Sequence, residues 1–133
     1  MVFVILRKMA VSVQTLDNLL LRNVLDIRFL RRIPVPNKPA TRRILCTKSH
    51  DLLNSTNGRI VLNYRPPKKN KQFNESQSNA CVVWDILMQD YRVVPVESAV
   101  VLEEIPANEE FWSYFNNKIY TLSTEQKILF MES

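Results

Sequence analysis

Cys46, His50 and Cys81 are the only thiols and imidazole in the chain. Cys46 and His50 stand four residues apart, a spacing that places two ligands on one helix face. A structural zinc site needs a closed tetrahedral ligand set, usually with a paired C-x-x-C, and this chain has neither. The expectation is a buried thiol and a surface imidazole, with no metal and no cofactor. Asp85, Asp90, Glu103, Glu104, Glu109 and Glu110 offer carboxylates for acid–base work. They also fall where solvated helix faces and helix starts ordinarily place acids. Gly58 is the sole glycine. Phosphate-cradling loops, the dinucleotide fingerprint and the nucleophile elbow need several small residues at strained turns and close backbone approaches. Neither an enzyme nor a small-molecule substrate is expected.

The remaining chemistry is electrostatic. Residues 1–80 carry 15 Lys/Arg against 4 Asp/Glu, whereas residues 81–133 carry 3 against 9. The basic stretch is attracted to polyanions and the acidic one is repelled by them. Arg42, Arg43, Arg59, Arg65, Lys68, Lys69 and Lys71 are the candidate contacts to RNA or another polyanion through residues 33–71. Tyr64 and Phe73 are available to stack on bases. Eight of the 12 aromatics lie after residue 80, and Trp84, Tyr91 and Trp112 are the candidate protein interface.

Positioning those residues requires three stretches. Residues 1–32 read as a mitochondrial targeting segment or a first helix. Leu16, Leu20, Val24 and Ile27 recur at helical spacing, Thr15 is the expected cap, and arginine outweighs acid. A processing point would fall in residues 29–33. Residues 33–80 read as a basic, proline-broken arm, with three prolines within residues 34–39. Within it, residues 44–47 and 59–64 are expected to pair as a short two-stranded element, and residues 49–55 to form a helix capped by Ser49. Asn57-Gly58 reads as a turn or left-handed helix cap, and residues 65–80 as a loop.

Residues 81–133 read as an acidic, aromatic-rich helical domain. Trp84, Leu87, Met88 and Tyr91 suggest a helix over residues 82–92, and residues 94–102 an extended segment. Asn108, Glu109 and Glu110 open another helix with Phe111, Trp112, Phe115 and Ile119 along one face. Of these, Phe115 is expected in the core and Trp112 nearer the surface. Ser123 and Gln126 match a capping box that starts the last helix. The expected fold class is α+β, mainly α: a small helical C-terminal domain, a short two-stranded element and an extended basic N-terminal arm.

The longest apolar run, residues 1–6, is too short to span a bilayer, which takes about 20 residues. Two unclustered cysteines fit a reducing compartment. The arginine-rich start, proline-broken basic arm and helical tail resemble the small accessory proteins of fungal-type mitochondrial ribosomes. Trp84-Asp85, Tyr91-Arg92 and Ile105-Pro106 resemble, more loosely, the small thirteenth subunit of the anaphase-promoting complex. These resemblances imply a non-enzymatic, RNA-associated subunit of a mitochondrial ribosome or its assembly, in the matrix. The alternative is a protein-binding adaptor of a nuclear or cytoplasmic complex. The C-terminal helices would hold protein partners in either case.

Overall fold

Ser12 accepts the Thr15 amide and opens helix α1 (Val13–Arg22), which buries Leu16 and Leu20. The computed structural model describes residues 12–67 and 73–133. The cap is thus Ser12, and Thr15 lies inside the helix. Asn23 ends α1 with its backbone and side-chain amides both donating to Leu19 O. From there the chain is extended as β1 (Asn23–Leu30), whose alternation sends Val24 to one core cluster and Leu25, Ile27 and Phe29 to the other.

Five strands follow one another into a single antiparallel sheet of order β4-β3-β2-β1-β5. They are β1, β2 (Thr41–Thr47), β3 (Ala80–Asp85), β4 (Asp90–Pro95) and β5 (Val100–Pro106). This overturns the mainly helical fold class. The acidic half carries three of the strands, and no separate helical C-terminal domain exists among the described residues. The expected arm also changes character. Residues 31–40 are the loop of the β1–β2 hairpin, closed by the Arg31 amide on Ala40 O at 2.9 Å and by the Arg31 guanidinium on Pro39 O and Thr41 O.

Two further expectations fail for one physical reason, namely where the chain reverses. Residues 82–92 form a β3–β4 hairpin in which Trp84 pairs with Tyr91 across the strands. Gln89, at φ 56°, supplies the left-handed turn residue that glycine would usually provide. Residues 59–64 do not pair with β2. Helix α2 (His50–Asn54) is followed directly by α3 (Thr56–Ile60). Gly58 sits inside α3 with no left-handed φ, not at a left-handed cap, and a Cβ there would come within 2.1 Å of Leu52 O.

Other local expectations match the structure. Ser49 accepts the Leu52 amide at the start of α2, and β2 contains residues 44–47. Asn108 caps α5 (Glu109–Tyr114). A π-turn (Phe115–Ile119) follows, and Ser123 and Gln126 complete both bonds of a capping box on α6 (Thr124–Glu132). Residues 65–80, expected as a loop, instead hold a short α4 (Glu75–Ser78) and, at Ala80, the start of β3.

Both faces of the sheet are buried. The α1 helix covers the face of Leu25, Ile27, Ile44, Cys46, Val83 and Val94. Leucines of α2 with Phe111, Phe115 and Ile119 cover the face of Val24, Leu45, Trp84 and Ile105. Burying apolar area of this kind is the main favourable term in folding, at roughly 25 cal/mol per Å². No described helix is long and apolar enough to cross a membrane.

Candidate polyanion interface

Tyr64 and the β3–β4 hairpin build an aromatic platform that carries exposed arginines. The rings of Tyr64, Trp84 and Tyr91 meet edge to face at 5.1, 5.0 and 6.2 Å, a favoured aromatic geometry. The Trp84 indole N–H donates to Leu62 O at 3.2 Å, and the Tyr91 hydroxyl bonds the Tyr64 hydroxyl at 3.0 Å and Arg65 O at 2.7 Å. These bonds strap residues 62–65 onto the hairpin. Asn63 makes the required bend at φ 55°. Burial, and then the bond to Tyr64, push the Tyr91 phenol well above its ordinary range, so it stays a neutral donor.

Arg59 and Arg65 lie on this platform. The Arg59 guanidinium stands 5.7 Å from the Tyr64 ring centre and that of Arg65 5.8 Å from the Trp84 ring centre, both within cation–π range. The Arg65 side chain remains 64% exposed, and its carboxylate neighbour Asp90 is 3.9 Å away. Asp90 is held below the ordinary carboxylate range by the Tyr91 amide and then by Arg92, whose guanidinium lies 3.2 Å away. Phe73 is exposed. Lys68, Lys69 and Lys71 lie outside the described residues.

Arg42 and Arg43, adjacent to each other in the same basic set, are half-buried and each is paired to a buried carboxylate. Arg43 makes a bidentate pair with Asp26 at 2.9 and 2.6 Å, and its carbon end lies 4.3 Å from the Phe130 ring centre. The bond to Asp26 raises its pKa against the effect of burial. Arg42 reaches Asp85 at 2.6 Å, and only 12% of its side chain is exposed. Burial dominates this second pair: it lowers the Arg42 pKa and raises that of Asp85, against their mutual attraction. Neither guanidinium is free for a phosphate.

The expected interface aromatics separate as well. Trp84 is 1% exposed and belongs to the core, so a partner cannot reach its ring. Tyr91 and Trp112 are half-buried, Trp112 packing on Phe111 and Phe115 at 5.0 and 5.8 Å. Cys46 is fully buried at the end of β2 and His50 is exposed at the start of α2. Burial raises the Cys46 thiol well above its ordinary value and pushes Cys81 up to about 12.

Asp17, Glu75 and Cys81 do converge, with ligand atoms within 4.8 Å of one another. Lys48 already bonds both carboxylates, and those bonds raise its pKa against the opposing effect of burial. The group therefore reads as an ion-pair cluster tying α1 and α4 to β2. Arg92, which pairs with Asp90 at 3.2 Å next to the platform, is not singled out by the sequence, since a helical reading of residues 82–92 does not turn it toward Asp90. No known family model, no curated protein and no solved structure matches this chain.

Proposed function

We propose that this protein is a non-enzymatic structural subunit that contacts RNA, within a mitochondrial ribosome or its assembly. The observation that carries the reading is the placement of exposed Arg59 and Arg65 on the Tyr64–Trp84–Tyr91 platform, with Lys68, Lys69 and Lys71 following closely in the sequence. Guanidinium groups beside the half-buried Tyr64 and Tyr91 rings suit a flexible single strand, whose phosphates and bases are both accessible. The mitochondrial part rests on the basic, acid-poor start of the chain. The fold limits it, because a cut in residues 29–33 would remove α1 and an inner strand of the sheet. Targeting would accordingly leave residues 12–32 in place.

Binding of a fluorescent single-stranded RNA at about 50 and 200 mM salt tests the reading, since each phosphate contact releases counterions. A steep fall in affinity is expected, and equal affinity at the two salts overturns it. A second reading, a nuclear or cytoplasmic adaptor that binds protein alone, is favoured by the exposure of Ile60 and Tyr120. A C-terminal fluorescent fusion separates the two: a mitochondrial signal lost on deleting residues 1–11 supports the first, and a nuclear signal indifferent to that deletion supports the second.

A further inference from the structure

A groove of about 360 Å³ opens between the end of α3, the tip of the β3–β4 hairpin and the π-turn. Its walls include Ile60, Phe115, Ile119 and Tyr120, with Lys127 of α6 as the single charge and no carboxylate. Ile60 and Tyr120 are 74% and 71% exposed, while Phe115 and Ile119 sit at the base at 8% and 5%. The π-turn makes this shape. Tyr120 N–H reaches back to Phe115 O at 2.8 Å, five residues instead of four, and so offsets Tyr120 from the buried Phe115–Ile119 row. Such turns are rare and are frequent at functional sites.

Four amides and one carbonyl that border the groove are already bonded. The amides of Val61, Leu87, Gln89 and Tyr120 bond Asn57 O, the Asp85 carboxylate, Asp85 O and Phe115 O, and Val61 O accepts the Gln89 side chain. An added β-strand would find no open ladder at these positions. An amphipathic helix, which brings its own backbone bonds, needs only apolar walls and a complementary charge. Lys127 has no acidic partner among the described residues.

We propose that this groove receives an amphipathic helix of a partner protein, with apolar residues seated between Ile60 and Tyr120 and an Asp or Glu paired to Lys127. The site is distinct from the arginine platform, and its occupant is acidic where that of the platform is polyanionic RNA. The test selects a random dodecapeptide library on the full chain, then measures the enriched peptides against Ile60→Glu, Tyr120→Glu and Lys127→Glu. Because Ile60 and Tyr120 are exposed, those variants leave the fold intact, which an unchanged melting temperature verifies. Enriched peptides are expected to carry apolar residues at i, i+3/i+4 and i+7 with an acid beside them. Their affinity should fall at least ~tenfold on each substitution, equivalent to ~1.4 kcal/mol, while RNA binding persists in Ile60→Glu and Tyr120→Glu. Selected peptides that bind Ile60→Glu or Lys127→Glu as well as the native chain overturn the proposal, as does a library that yields none. Sedimentation showing self-association abolished by Tyr120→Glu would make a second copy the occupant and overturn it equally.

Discussion

Arg42-Arg43 and Arg59…Arg65 are chemically alike in the sequence and opposite in the structure. The first pair is half-buried on β2, where the buried Asp85 and Asp26 neutralise it and Phe130 of α6 lies against Arg43. The second flanks an aromatic platform and keeps its charge in solvent. A guanidinium is thus a structural tie where strand alternation turns it toward a buried carboxylate. Where no buried carboxylate faces it, at the end of α3 and in the segment that follows, it keeps its charge in solvent. The difference lies in the partner, since Asp26 and Asp85 are each 1% exposed and would be isolated buried charges without their arginines.

The sharpest way to break this comparison is to remove one of the carboxylate-paired arginines. Arg43→Ala strands the Asp26 carboxylate and should cost about 3–5 kcal/mol in denaturant unfolding. Adding Asp26→Leu to Arg43→Met should restore most of that loss, because an apolar pair needs no desolvation. A loss below about 1 kcal/mol in Arg43→Ala would mean that this arginine is no more structural than a surface one.

The matching change outside is Arg59→Ala with Arg65→Ala. Stability should shift by under about 1 kcal/mol, as for exposed charges. RNA affinity should fall instead, with the slope of log affinity against log salt reduced by roughly 2, one per phosphate contact. An unchanged slope would detach the platform from polyanion binding.

Ser123→Ala removes the cap of α6, the helix whose Phe130 ring covers Arg43. The expected cost is about 1 kcal/mol, with RNA binding untouched; thermal melts and the binding assay together check it.

The smallest effect is on the pH profile. Burial raises the Asp85 pKa, so on acidification the folded chain takes up this proton before the unfolded chain does. Just above the ordinary carboxylate range the folded state holds more protons at this site, and Asp85 makes stability rise as pH falls. Asp85→Asn removes that contribution and should steepen the acid-side loss of stability in urea titrations across pH. Glu97 acts with the opposite sign, since its bond to Arg32 lowers its pKa and the stability it contributes is lost on acidification.

Several elements were legible from local chemistry alone. The Ser49 cap and the reciprocal Ser123–Gln126 bonds involve residues three apart, and short-range hydrogen bonding is enough to specify them. The Arg59 and Arg65 platform was legible only in part: the residues stood in the basic set, but the ring contacts that gather them join positions 64, 84 and 91 across a hairpin. Trp84, Leu87, Met88 and Tyr91 imitate a helical stripe because a four-residue reversal between two strands repeats at nearly the same interval. The turn that would have exposed the hairpin carries no glycine, and Gln89 takes the left-handed conformation in its place.

Composition and spacing by themselves determined the segregation of charge, the lack of glycine-built phosphate loops and the helix caps, all of which depend on residue identity or on neighbours within one turn. Only the tertiary structure decided which arginines face water. It also decided that Leu16, Leu20, Val24 and Ile27 are divided between a helix and a strand, with Val24 and Ile27 in different cores. Burial is set by what packs on each face of the sheet, and those partners come from segments up to roughly a hundred residues away, beyond the reach of any local pattern.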